Sequence, residues 1–180
     1  MLSLKKNFRN VENGNAVIMM GQSNMVGWDD CSDIWEPIEN GVHVHCSYQC
    51  YNWKRDSTWS EKLPLVLGFG AQKDTCGPEL GLGEMMKDTT MIKITYPGLG
   101  IAHFWPGSQI YKTLLKFLEK KNLTVSTFFW LQGETDSVIE EESKFYLEIF
   151  TYLVSSLKKY IRNDIKIVSE LIGSVYNHST

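Results

Sequence analysis

The chain has 180 residues, 43% of them hydrophobic, which suits one domain with a real core. Its net charge is −3 with acidic and basic residues interspersed, so no polybasic face is offered to nucleic acid or to an anionic membrane. The first 16 residues hold no apolar stretch of signal-peptide length and no segment reaches membrane-spanning length, so a soluble protein, cytoplasmic by default, is expected.

Residues 16–20, AVIMM, form a continuous apolar run bounded by Asn15 and Gly21, which predicts a strand buried on both faces. Residues 28–76 read as irregular, with a short candidate strand at 42–45; loops of that length usually carry function. Gly77-Pro78-Glu79 then opens a helix, since proline fits the first helical position and a carboxylate favours the positive N-terminus. That helix is expected to reach about Lys87, followed by a strand over 91–96 and a sharp YPGLG loop over 96–100. Ile110, Leu114, Phe117 and Leu118 recur at helical spacing and mark a helix ending near Asn122. VSTFFWL at 125–131 is a further buried strand. A long helix is expected from about Val138, with a stripe of Tyr146, Ile149, Phe150, Leu153, Leu157, Tyr160 and Ile161. A last strand covers 165–168.

Strands alternating with helices predict an α/β fold, a three-layer α/β/α sandwich with a parallel, flavodoxin-like sheet. Ligands of such sheets bind beyond the carboxyl ends of the strands. Three polar motifs fall at those ends: GQSN after the first strand, PGLG after the strand at 91–96, and QGETD after the strand at 125–131. Each is weak alone; their convergence is the physical hint of a site. Four cysteines, Cys31, Cys46, Cys50 and Cys76, are unevenly spaced. Cys46 and Cys50 suit a bridge or a shared metal, but no second such pair exists, so no metal site is expected. Four thiols in a chain this long do not demand an oxidising compartment.

Two readings compete at each motif. Ser23 suits a helix cap, its oxygen accepting from a backbone N–H two or three residues on. It also suits a nucleophile, given a base, oxyanion donors and an exposed hydroxyl. The surroundings are not the G-x-S-x-G elbow, because Met25 stands where that motif needs glycine. In QGETD, Thr135 or Asp136 suits capping, with the acidic run 140–142 in the first turn of the next helix. Gln132, Gly133 and Glu134 are left over: an amide can donate to a developing oxyanion, and a carboxylate can orient an imidazole. The glycines at 98 and 100 suit simple steric convenience, or a backbone N–H brought close to a reacting oxygen. Trp105 is expected to be half buried under either reading.

The ordered set GQSNM (21–25), GPE (77–79), PGLGIAHFW (97–105) and WLQGETD (130–136) resembles the SGNH hydrolase superfamily. Within it, the likeness is to sialate O-acetylesterase-like domains and carbohydrate esterase family 6, over roughly residues 15–172. The resemblance implies that Ser23 is the nucleophile. It implies oxyanion donors from the Ser23 N–H, Gly98 (with Gly100 as second choice) and the Gln132 amide. It further implies that Glu134 holds a catalytic histidine and that Gln22 and Asn24 wall the substrate site. The expected reaction is hydrolysis of O-acetyl esters of carbohydrates such as sialic acid or acetylated glycans, with no metal or organic cofactor. Sugar choice is expected from the 28–76 loops carrying Trp28, Trp35, Trp53 and Trp59.

The histidine that the resemblance implies lies in a D-x-x-H motif, and none of His43, His45, His103 and His178 has aspartate three residues before it. The base is therefore expected to be absent from this chain, with His178 or His103 as weaker substitutes. A doubly wound sheet that stops at its fourth or fifth strand also leaves an edge open. The chain accordingly reads as a single domain over 1–180, incomplete at its C-terminus. A catalytically impaired or dead carbohydrate-binding module of the same fold is the alternative. A nucleotide binder is disfavoured, because no glycine-rich phosphate loop precedes a helix.

Overall fold

The computed structural model describes residues 15–33, 41–47 and 59–170. In chain order its elements are β1 (Asn15–Gly21), α1 (Ser23–Val26), β2 (Asp29–Asp30), β3 (His43–Ser47), β4 (Leu63–Pro64) and β5 (Thr75–Cys76). Then come α2 (Glu79–Met85), β6 (Thr89–Thr95), a 3-10 helix (Ile101–Phe104), α3 (Gln109–Lys121) and β7 (Thr124–Leu131). The chain closes with α4 (Glu134–Ser137), α5 (Glu140–Ser143), α6 (Tyr146–Tyr160) and β8 (Lys166–Ser169).

Six strands form one sheet in the order β4-β3-β6-β1-β7-β8, parallel throughout except for the β3–β4 edge pair. The α/β expectation is met, with a mixed rather than purely parallel sheet. A separate two-stranded antiparallel sheet pairs β2 with β5. These short strands escape sequence reading because a two-residue bridge has no periodicity to detect.

The central strand β1 alternates its burial between two cores. Ala16, Ile18 and Met20 face a cluster with α3 and α6; Val17 and Met19 face a cluster with Met25 of α1 and Leu80 of α2. From β1 the chain crosses over the position of β6 to reach β3, and from β6 it crosses back over β1 to reach β7, so these adjacent strands are left in opposite directions. That is the switch point where open α/β sheets gather ligands.

The helix expected from about Val138 starts later. Ser137 Oγ donates to the Glu134 carbonyl at 2.7 Å and Ser143 Oγ to the Glu140 carbonyl at 2.9 Å. Such back-bonding competes with a continuous helical ladder. The segment therefore folds as two single-turn helices, and the apolar stripe is carried by α6, where Leu153 and Leu157 are fully buried. The α3 boundaries are close to expectation: Ser108 caps the start by accepting from Tyr111 N–H, and left-handed Asn122 ends it.

Candidate active site

The carboxyl ends of β1, β6 and β7 are tied by their own backbone. Gln22 N–H donates to the Leu131 carbonyl at 3.1 Å and Tyr96 N–H to the Gly21 carbonyl at 3.0 Å. Gly21 is required by this close approach, because a Cβ there would lie 1.9 Å from the Leu131 oxygen. The turn that follows is α1, one turn long, with Ser23 as its first residue.

Ser23 does not cap this helix. Gln22 occupies the cap position and makes no side-chain cap bond. The Ser23 side chain is partly exposed, and its hydroxyl has no hydrogen-bond partner among the described residues. Gln22 is buried at 3% exposure and its Oε1 accepts from Gln132 Nε2 at 3.1 Å and Thr135 N–H at 3.4 Å. Asn24, exposed, donates from Nδ2 to Glu134 Oε1.

Gln132 sits at the centre, 1% exposed. Its Nε2 donates to Gln22, to the Leu99 carbonyl of the PGLG loop at 3.1 Å, and to Asp136 Oδ2. One amide nitrogen thus joins all three motifs. It carries two hydrogens for three acceptors, so one bond is shared, and donation to any fourth acceptor means giving one up. Its Oε1 is buried with no partner among the described residues, as is Glu134 Oε2. Gly133 aims Glu134 from a backbone at φ +144°, a region that disfavours any side chain.

Asp136 is the residue whose role the sequence misassigned. Its carboxylate is not a helix cap: it is 1% exposed and accepts Ile101 N–H on both oxygens, at 2.9 and 3.1 Å. It thereby fixes the exit of the PGLG loop as well as the Gln132 amide. Tyr146, a member of the expected apolar stripe, also bonds at the site: its hydroxyl donates to the Gln132 carbonyl at 2.5 Å and accepts from Trp130 Nε1 at 2.9 Å. Burial pushes the Tyr146 hydroxyl up to about 12.

The oxyanion candidates are unevenly placed. Gly98 is exposed at φ +71° with open space around it, whereas Gly100 is buried at the entry to the 3-10 helix. Neither N–H has a backbone partner among the described residues, and the same holds for the Ser23 N–H.

Beneath α1 lies a second group the sequence reading missed. Lys93 and Glu79 are both 0% exposed and paired at 2.5 Å. Lys93 Nζ also donates to the Val26 and Phe69 carbonyls at 2.8 Å each, and Glu79 Oε1 accepts Gly77 N–H at 2.9 Å. Glu79 is therefore a buried counter-ion rather than a simple favourable charge at a helix start. Burial lowers the Lys93 pKa from its ordinary value, with Glu79 opposing. A lysine inside the apolar run MIKIT was the visible signal.

The histidines are elsewhere. His43 Nδ1 bonds the Gly41 carbonyl at 2.9 Å, and His45, buried, bonds the Ser60 carbonyl at 3.2 Å. His103 is exposed on the 3-10 helix, and His178 lies outside the described residues. Among the described residues no imidazole is hydrogen bonded to Glu134. Trp28 is 53% exposed beside α1, but Trp59 stacks on Phe117 of α3 with ring centres 4.0 Å apart; Trp35 and Trp53 lie outside the described residues. Cys31 is joined by a disulfide to Cys76, a pairing the sequence reading did not reach; Cys50 lies outside the described residues. Among the described residues no helix is long and apolar enough to cross a membrane.

A family model described as carbohydrate esterase, sialic acid-specific acetylesterase, matches residues 13–179. No curated protein matches significantly. Among solved structures the chain is similar to a protein from Arabidopsis thaliana, with a TM-score of 0.64 at 17% identity over 89% of this chain and 75% of that one. It is similar to NanS, with a TM-score of 0.63 at 14% identity over 86% of this chain and 66% of that one. A carbohydrate acetylesterase from Xanthomonas citri gives a TM-score of 0.61 at 11% identity, covering 87% of this chain and 41% of that one. At such identities the likeness is one of fold.

Proposed function

This chain belongs to the carbohydrate esterase family of sialic acid-specific acetylesterases, and from that premise we propose that it is a serine esterase for O-acetylated carbohydrates such as sialic acid or acetylated glycans. Ser23 Oγ attacks the acetyl carbonyl and passes its proton to a base. The backbone N–H groups of Ser23 and Gly98 stabilise the oxyanion, and Gln132 joins them by exchanging one of its three acceptors for it. The sugar oxygen leaves with the proton, and water then releases acetate from the acyl-enzyme. Gln22 and Asn24 wall the site. Glu134, with its unpartnered Oε2, is the carboxylate that orients the base, an imidazole supplied from outside the described residues.

The observation that carries this reading is the single Gln132 amide joining the GQSN, PGLG and QGETD turns, with Ser23, whose hydroxyl caps nothing, next to the joined Gln22. A fluorophosphonate probe is expected to label Ser23. Ser23→Ala is expected to lose that adduct and to cut p-nitrophenyl acetate hydrolysis by a factor on the order of 10³ or more. Equal rates for the two proteins overturn the esterase.

A binding module that keeps the pocket without turnover is the second reading, favoured by the lack of an imidazole on Glu134 among the described residues. It predicts glycan binding without a serine adduct. The Cys31–Cys76 disulfide supports an oxidising compartment over the cytoplasmic default.

A further inference from the structure

A cavity of about 400 Å³ opens between the 3-10 helix and α6, lined by Ala102, Trp105, Glu148, Ile149 and Tyr152. None of these residues belongs to the site above. We propose that this cavity is a subsite for a neutral sugar unit of the glycan, next to the unit whose acetyl group faces Ser23; it rests on the carbohydrate reading of the catalytic turn.

Three observations support it. First, Trp105 and Tyr152 are 48% and 57% exposed, so two aromatic surfaces stay open to ligand rather than entering the core. The Trp105 ring is also held in place. It lies so close to Gly107 that a Cβ there would come within 2.2 Å of the indole. A ring fixed from behind and open in front loses little freedom on binding.

Second, the polar groups fit hydroxyls. Trp105, Tyr152 and Glu148 line one cavity, and the Trp105 N–H, the Tyr152 hydroxyl and the Glu148 carboxylate have no hydrogen-bond partner among the described residues. Aromatic faces with a few polar groups are the makeup of a small-molecule site, and the volume lies in the usual range of roughly 300–1,000 Å³. Glu148 is the one formal charge among the described residues that line it, so it accepts from sugar hydroxyls and repels an anionic unit.

Third, both elements that wall the cavity are tied to the catalytic rim. The 3-10 helix begins at Ile101, whose N–H is held by Asp136. On α6, Tyr146 is bonded to the Gln132 carbonyl, and Tyr152 lies six residues on, about 9 Å along the axis. A glycan laid along the 3-10 helix is the ligand these ties would serve.

The test uses the Ser23→Ala protein, so that no ligand is turned over, titrated with partially O-acetylated xylotetraose and followed by isothermal titration calorimetry. Binding is expected to weaken at least tenfold with Trp105→Ala and three- to tenfold with Tyr152→Ala. Trp105→Phe should recover most of the loss, and Leu147→Ala, exposed on the same helix, should change nothing. All four positions are open to solvent or nearly so, and circular dichroism checks the fold. Unchanged affinity in Trp105→Ala overturns the subsite, as does no binding of the tetraose. The two proposals fail separately. Trp105-dependent binding without a Ser23 adduct removes the esterase and keeps the subsite; acetate release from the tetraose with the same KM in Trp105→Ala does the reverse.

Discussion

On the α3/α6 side of the sheet the interior is aromatic and apolar. Phe104 meets Trp130 edge to face at 5.3 Å, Trp130 meets Phe150 at 5.6 Å, and Phe150 stacks with Tyr146 at 6.5 Å. On the α1/α2 side the same sheet covers a buried ion pair, Lys93 with Glu79, and a disulfide, Cys31–Cys76. The candidate site draws on both. Ser23 stands on α1, whose last carbonyl, at Val26, accepts from Lys93; Gln132 is held from behind by Tyr146 of the aromatic side. The turn that carries the hydroxyl is thus anchored by a buried charge, and the backbone of Gln132 by a tyrosine of the aromatic side. Each side should respond to its own kind of damage.

The largest expected effect is on the ion pair. Lys93→Met alone leaves the Glu79 carboxylate buried without its counter-ion and should cost about 3–5 kcal/mol, read from urea unfolding. Pairing it with Glu79→Leu should restore much of that loss, because two apolar groups then replace two charges. If the double variant is as unstable as the single one, the pair is not a coupled charge network and the contrast between the two sides fails. Fluorophosphonate labelling of the double variant sharpens the point, since a slower Ser23 adduct at restored stability assigns Lys93 to holding α1 in place.

Lys93 also marks how far the sequence could be read. β1, β6 and β7 were legible because buried parallel strands are continuous apolar runs with few alternatives. The turns after them were legible because four polar residues in a row exceed what a turn needs. Asp136 was not, since a short acidic side chain just past a strand suits a helix cap and a tertiary acceptor equally; only the position of Ile101 N–H separates the two. Glu79 failed for the same reason at α2. The Cys31–Cys76 pairing needs the fold, because β2 and β5 bring those residues together across 45 positions of irregular sequence.

That disulfide gives the next effect in size. In the chain-entropy account, closing a loop of this length stabilises by up to about 4 kcal/mol, and typical values are about 2–4. Replacing both cysteines by alanine, Cys31→Ala with Cys76→Ala, should lower the unfolding free energy within that range. The loss should fall on the α1/α2 side, where a Cβ at Gly27 would come within 1.9 Å of the Cys76 carbonyl. Hydrogen exchange is therefore expected to quicken in 27–31 and 75–80 while α6 keeps its protection; equal quickening in α6 would mean the two sides unfold as one.

The smallest effect comes from His45, the one imidazole buried on the aromatic side among the described residues. His45 sits edge-on to Phe117 at 5.0 Å and donates to the Ser60 carbonyl, and burial holds its pKa below the ordinary value of 6.5. Lys121 and Lys62 push the same way, and the bond to Ser60 opposes them. The unfolded chain therefore binds this proton more readily than the native one, so stability rises with pH. The contribution is present above about 6.5 and is lost as the pH falls from there through the native pKa. Urea midpoints should decline over that window, and His45→Gln, which cannot charge, should flatten the decline. On the α1/α2 side the buried lysine is matched by a carboxylate, whereas here burial, with two nearby lysines, keeps the ionisable group neutral. A midpoint that rises on acidification would mean that the aromatic side, too, stabilises a buried charge.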